Sequence, residues 1–229
     1  MLIVLVPGLM NDGWVWRHQL GPLSRIAPVA IARTDGCDTL QEMADRALAI
    51  GSGPLCVIGH SMGARVAMEA ALRAPERVAR LGLVSSGMGP SAEGEAEGRM
   101  RLAALAREAG MAAVAAEWLP PMVGPAGRAS PGLMEGITAM LRRCPPDVFA
   151  AQQNALVHRP DRRAELARLP CPTLIATGEE DRWSTAEVHR EMAEQVPLST
   201  LRIVPGAGHF LPVEEPEALT DVLLDWLRD

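Results

Sequence analysis

Short, uninterrupted apolar runs recur along the chain. Each is stopped by Gly, Pro or a small polar cluster, and between them the apolar positions switch to a spacing of three and four. The run at residues 2–6 has no alternation, as a strand buried on both faces reads, and predicts a central strand of a parallel sheet. The run at 54–59 reads as a buried strand, and 28–32, 80–85, 172–177 and 200–204 read as further strands. The intervening segments predict helices. Over 14–25, Trp16, Leu20 and Leu23 share one face; over 39–50, Leu40, Met43, Ala47 and Ile50 do the same. Asp38 or Thr39 caps that second helix, and Thr39 to Glu42 has capping-box spacing, in which hydroxyl and carboxylate each satisfy an orphan N–H. Helices are also expected over 65–72, 184–195 and 216–228, the last with Pro216 in its first turn. Strands alternating with helices predict right-handed crossovers, a parallel sheet and helices on both faces.

The alternation breaks at Ser86. Residues 86–98 are rich in Gly, Ser and Glu, as a mobile connection would be, and 99–169 read as helices with no convincing strand. Segments 100–108 and 111–118 are parted by Gly110. Pro120-Pro121 and Pro145-Pro146 punctuate the rest, and 132–142 and 147–157 complete the block. The expected fold class is therefore α/β, with about six mostly parallel strands and a helical insertion. The core would comprise 1–86 and 170–229, and 87–169 would form a cap over one end of the sheet.

Composition narrows the chemistry. A chain of 229 residues, 48% hydrophobic and 22% charged, suits one full-sized core with an insertion. The net charge of −6 argues against a nucleic-acid footprint, which needs a basic patch. Every residue in the Lys+Arg count is Arg, and Tyr is absent. Schiff-base, Walker-type and Ser-Lys chemistries are thereby excluded. The arginines are interspersed with acids and form no cluster aimed at the sheet rim, which leaves a phosphate or coenzyme A handle without an anchor. Cys37, Cys56, Cys144 and Cys171 are scattered, without C-x-x-C or nearby His, so neither a zinc site nor a disulfide scaffold is expected. No metal or cofactor is called for. The apolar run at 2–6 is too short for a signal sequence or a membrane span. A cytoplasmic location, no membrane partner and either a monomer or a homodimer are the expectations.

One stretch carries reactive chemistry. Gly59-His60-Ser61-Met62-Gly63 follows an apolar strand and precedes a helix, the setting that G-x-S-x-G requires. A nucleophilic hydroxyl must stand at the tip of a tight strand-to-helix turn, and the two glycines remove the Cβ atoms that would keep strand and helix apart. In an open parallel sheet, residues just past the carboxyl ends of strands gather on one edge. Pro7-Gly8-Leu9, Ser61, Gly178-Glu179-Glu180-Asp181 and Gly206-Ala207-Gly208-His209 all occupy that position. A hydroxyl, an imidazole and one of three carboxylates are thus brought together. Of the five histidines, His18, His158 and His189 read as surface or packing residues, and His60 as a structural part of the turn. His209 alone sits at a strand end, where it can be aimed at Ser61.

These segments resemble the α/β-hydrolase fold superfamily, on the side with a helical cap after the fourth strand. The likeness rests on 59–63, on Asp161-Arg162-Arg163 through Leu169-Pro170-Cys171-Pro172-Thr173-Leu174, on 178–181, and on Gly208-His209 followed by Glu214 and Pro216. The resemblance implies a serine hydrolase with Ser61 as nucleophile, Asp181 as acid and His209 as base, and the backbone N–H groups of Leu9 and Met62 as oxyanion donors. Two departures stand out. Pro7-Gly8 replaces the usual His-Gly after the first strand, and the antiparallel strands that usually come first are missing. A small or medium, largely apolar ester is the expected substrate, with Met10, Trp118, Trp183 and Phe210 touching it. Met100, Met111, Met122, Met134 and Met140 could add an apolar lining, or simply pack the cap helices together. The same residues would serve a lactonase, thioesterase, acyltransferase or C–C bond hydrolase. A non-catalytic binding or signalling protein on a hydrolase scaffold is the alternative from another class.

Overall fold

The computed structural model describes residues 1–228. Six strands form one parallel sheet in the order β2-β1-β3-β4-β5-β6: β1 (Leu2–Val6), β2 (Val29–Ile31), β3 (Leu55–His60), β4 (Val78–Val84), β5 (Thr173–Gly178) and β6 (Ser199–Val204). The run at 2–6 is a central strand as expected, and the runs at 28–32 and 200–204 form the two edges of the sheet. Every residue of β3 and β5 is buried, as is β1 beyond Leu2, whereas β2 and most of β6 are half-buried at the two edges of the sheet.

Around the sheet lie α1 (Arg17–Ser24), entered through a 3-10 turn at Gly13–Trp16, α2 (Leu40–Ala49) and α3 (Met62–Arg73). Beyond the insertion follow α9 (Ala186–Gln195), α10 (Leu211–Glu214) and α11 (Pro216–Arg228). Helix α1 packs on α11 and α2 on α3, while α9 lies against β5 and β6. Thr39 caps α2 by accepting from the Glu42 N–H; the Glu42 carboxylate accepts from Asp38 N–H, one residue earlier than a capping box places it.

Between β4 and β5 the chain is helical: α4 (Glu95–Trp118), α5 (Pro125–Arg128), α6 (Pro131–Arg143), α7 (Pro146–Val157) and α8 (Arg163–Leu166). The two Ala-rich segments join in α4, with a kink at Gly110, whose φ of 80° only glycine adopts freely. That helix begins at Glu95, inside the stretch expected to be a connection. The Glu95 carboxylate accepts from Ala92 N–H, pairs with Arg99 one turn on and with Arg159 at the end of α7, and so fixes the first turn. Among the described residues no helix is long and apolar enough to cross a membrane.

The strand order reverses between β1 and β3. The crevice outside the carboxyl ends of those two strands is where an open α/β sheet binds ligand. The loop after β1 and the turn after β3 both open there.

Candidate active site

The turn after β3 is held by contacts that exclude side chains. A Cβ on Gly59 would overlap the Gly63 carbonyl, and one on Gly63 would overlap the Val6 carbonyl. With both glycines bare, α3 starts at Met62, three residues earlier than the apolar pattern suggests, and Ser61 sits between strand and helix at φ 54°, ψ −118°. A non-glycine residue there costs on the order of 1–3 kcal/mol, and the surrounding packing must impose it. Ser61 N–H donates to Val84 O, which locks the turn to the neighbouring strand.

Three side chains from three strand ends meet at this turn. Ser61 Oγ lies 2.9 Å from His209 Nε2, and His209 Nδ1 lies 2.8 Å from Asp181 Oδ2. Asp181 Oδ1 accepts the N–H groups of Trp183 and Ser184, each at 2.9 Å. Burial works to raise the Asp181 pKa, but the His209 imidazole and these two N–H donors outweigh it and hold the carboxyl below its ordinary value. Asp181 therefore stays ionised and fixes the Nδ1–H tautomer, leaving Nε2 free to accept a proton. His209 and Asp181 are 2% and 3% exposed, so this network is shielded from water. Of the three candidate carboxylates, Asp181 meets His209, while Glu179 is exposed.

The loop carrying His209 is tied down by groups that sequence reading left unassigned. The Glu214 carboxylate accepts from the N–H groups of Gly208, Phe210 and Gly124, and His209 N–H donates to Met122 O. His60 joins the same framework. Asn11 Nδ2 donates to its Nδ1 at 3.2 Å, which leaves Nε2–H to donate to the His209 carbonyl at 2.8 Å. Burial and the nearby His209 push the His60 pKa down to about 3, so the ring is a neutral strut.

In the loop after β1, Met10 takes φ 60° and its N–H donates to Gln152 Oε1 of α7. Gln152, Asn11 and His60 thus organise the turn in which Pro7 stands. Leu9 and Met62 both border the cavity at Ser61, and among the described residues neither backbone N–H has a protein acceptor.

The cavity measures about 450 Å³. Trp118 and Trp183 line it as expected. Met10 and Phe210 do not. Met10 is buried and faces a separate hollow between the β1 loop and α7, and Phe210 is fully buried, with its ring packed against His60 and Trp118. Residues next to a reactive position in sequence point away from it when the local backbone turns, as it does entering α10. Of the two readings of the cap methionines, packing fits Met111, Met122 and Met140, which are buried, and none of the five is among the lining residues of this cavity: Met122 borders a neighbouring hollow, Met140 the one beside Met10, and Met100 is 43% exposed.

Arginine is present instead. Arg65, Arg99, Arg159 and Arg182 line the cavity, with Glu95 as the single acidic side chain among its lining residues. The expectation that no arginine cluster faces the rim is overturned. Arg65 was legible in principle, since a helix brings residue i+4 back to the face of residue i. Glu95 and Arg99 carry the same spacing, but that such pairs meet Arg159 is a tertiary fact.

A six-stranded parallel sheet flanked by helices, with a strained serine turn at its switch point, defines the α/β-hydrolase fold. The chain belongs to the Alpha/beta hydrolase family, whose sequence model matches residues 3–222. It is 29% identical to the pimeloyl-[acyl-carrier protein] methyl ester esterase of Photobacterium profundum, over 99% of this chain and 94% of that protein. A thermophilic esterase from Thermogutta terrifontis, solved with malate bound, superposes with a TM-score of 0.93 at 30% identity, covering 100% of this chain and 89% of that one. The enol-lactonase of Burkholderia xenovorans LB400 shares the fold, with a TM-score of 0.88 at 23% identity over 100% and 91% of the two chains.

Proposed function

We propose that the protein is a serine ester hydrolase that works through an acyl-enzyme, with Ser61 as nucleophile, His209 as general base and Asp181 as the group that orients and stabilises the imidazole. The observation that carries this reading is the unbroken chain of contacts from Asp181 through His209 to Ser61 Oγ, at 2.8 and 2.9 Å. His209 Nε2 takes the Ser61 proton as Oγ attacks the ester carbonyl, and the developing oxyanion is held by the N–H groups of Leu9 and Met62. His209 then returns the proton to the leaving alcohol. Water, activated by the same nitrogen, attacks the acyl carbon and frees Ser61. Each oxyanion donor is worth on the order of 3 kcal/mol in the transition state.

Residues 87–169 act as a cap in this reading, because Trp118, Arg99 and Arg159 reach the cavity from that segment. An ester is preferred over the other acyl substrates because two relatives, at 29% and 30% identity, are named as esterases. A small-molecule substrate is in keeping with a cavity of about 450 Å³. The four cysteines are free thiols, which fits a reducing, cytoplasmic compartment.

Ser61→Ala should lower kcat for a p-nitrophenyl ester by at least about 10⁴-fold with an unchanged melting temperature. Turnover of the variant at the wild-type rate would refute the assignment.

A further inference from the structure

The cavity at Ser61 carries a charge that the chain as a whole does not. The protein is net −6, yet four arginines and one glutamate are the ionised side chains that border this hollow. Two of the arginines are accounted for locally. Arg99 and Arg159 share the Glu95 carboxylate at 2.6 Å each, with Arg99 also donating to Gln153 Oε1. Arg182 is exposed at the mouth.

Arg65 is different. It is partly buried, and among the described residues it has no carboxylate partner. Its one protein acceptor is the Gly89 carbonyl, which Nη1 meets at 2.8 Å. A guanidinium has five N–H donors in a planar fork, and one carbonyl leaves most of that fork unsatisfied. Burial, with the nearby Arg159 acting in the same direction, pushes its pKa down to about 9, which leaves it charged at neutral pH. Glu95 acts on it through charge alone, being bonded to Arg99 and Arg159, so the guanidinium lacks a carboxylate of its own, and the cavity is where one can enter.

Its position sets the geometry of the missing partner. Arg65 follows Ser61 by one helical turn, roughly 6 Å along the α3 axis. An anion meeting Arg65 would therefore lie a few bonds from a carbonyl carbon held at Ser61. A carboxylate matches the guanidinium fork in a bidentate pair, and no aliphatic group gains from that site.

We propose that the substrate is an ester carrying a carboxylate a few carbons from its scissile carbonyl, as in the monoester of a short dicarboxylic acid, and that Arg65 is the specificity residue that receives it. The proposal rests on Ser61 being the nucleophile of an ester hydrolase. Arg99 and Arg159 support the same field while Glu95 holds them in place. The apolar surfaces of Trp118 and Leu156, which also border the cavity, remain for the methylene spacer.

The test compares kcat/KM for monomethyl glutarate with that for dimethyl glutarate, which has the same spacer without the charge. Wild-type enzyme should favour the monoester by at least about tenfold. In Arg65→Gln that ratio should fall at least about tenfold, and Arg65→Lys, which keeps the charge without the fork, should lie between the two. In parallel, calorimetry on Ser61→Ala should detect binding of glutarate itself and of monomethyl glutarate, with 3-acetoxypropionate as the arm that places the carboxylate on the alcohol side. Tighter binding and faster turnover of that compound would move the anion from the acyl to the leaving-group side and overturn the stated spacer. Turnover of both glutarate esters at equal kcat/KM, with no glutarate binding to Ser61→Ala, would overturn the proposal while leaving the serine hydrolase reading intact. Glutarate binding with no ester turnover by wild-type enzyme would instead overturn the hydrolase reading. If Arg65→Gln does not fold, the wild-type preference and the Ser61→Ala binding still decide.

Discussion

The edge of the sheet and the helical segment above it contribute to the same cavity in unlike ways. The sheet edge supplies Ser61, Asp181 and His209 from the ends of three strands, each fixed by backbone hydrogen bonds and by glycines that no side chain can replace. The segment between β4 and β5 supplies Trp118 and Arg99 from α4 and Arg159 from just beyond α7, the two arginines being held by side-chain pairing to Glu95. Reactive geometry is placed by the sheet edge. The charge of the pocket is shared, with Arg65 and Arg182 coming from the core and Arg99, Arg159 and Glu95 from the helical segment, and changes in the two regions should therefore have different signatures.

The largest effect belongs to the sheet edge. In Asp181→Asn the side-chain oxygen can keep the Trp183 and Ser184 N–H groups, which turns the amide NH2 toward His209 Nδ1. The imidazole then carries its proton on Nε2, facing Ser61, and cannot accept another. Turnover should fall about 10³- to 10⁴-fold, with KM little changed and folding intact. A loss smaller than tenfold would mean that Asp181 does not set the tautomer.

The insertion should respond in stability and specificity before it responds in kcat. Glu95→Gln leaves Arg99 and Arg159, 9% and 7% exposed, without their shared carboxylate and should destabilise the protein by about 3 kcal/mol. Burial opposes ionisation of Glu95, but the bond from Arg159, the Ala92 N–H and the charge of Arg99 hold its pKa down to about 2, below the ordinary 4.5. A depressed carboxylate stabilises the fold above pH 4.5 and loses that contribution as the pH falls toward 2. Urea midpoints measured across that window should converge for wild type and Glu95→Gln. Midpoints that stay parallel would place the stabilisation elsewhere.

A proton-linked effect comes from His60. Its pKa lies near 3 in the folded protein against an ordinary 6.5, so the unfolded chain binds the extra proton between those values. Stability attributed to this ring is full above pH 6.5 and falls as the pH drops, by up to about 1.4 kcal/mol per pH unit. The buried His189, whose pKa burial also lowers, adds in the same direction. In His60→Gln the proton uptake on unfolding near pH 5 should decrease by about one. An unchanged uptake would show that His60 does not resist protonation in the fold.

How much of this was legible depends on how local each signal is. The central strands were readable because burial on both faces removes alternation, the half-buried edge strands β2 and β6 only as short apolar-rich segments beside Pro28 and Pro205, and Gly59-His60-Ser61-Met62-Gly63 because a strand and a helix flank it. His209 followed because parallel topology sends strand ends to one rim, whereas the same argument left Asp181, Glu179 and Glu180 open and the family resemblance singled out Asp181. Adjacency in sequence failed for Met10 and Phe210, whose backbones turn them into the core. Arg65 was readable from its spacing to Ser61, but its meeting with Arg99 and Arg159 was hidden because it joins α3, α4 and the segment just beyond α7, whose mutual packing no local pattern encodes. Gln152, which ties the loop after β1 to α7, was hidden for the same reason, while Glu214 was noted in the sequence without a role.

The central claim is that Ser61 is the activated nucleophile, and covalent labelling tests it without any assumption about substrate. Wild-type protein treated with a fluorophosphonate should gain a single phosphonyl adduct by intact mass, mapped by peptide sequencing to Ser61, and Asp181→Asn should label far more slowly. No adduct on folded wild-type protein, or an adduct on another residue, would contradict the account.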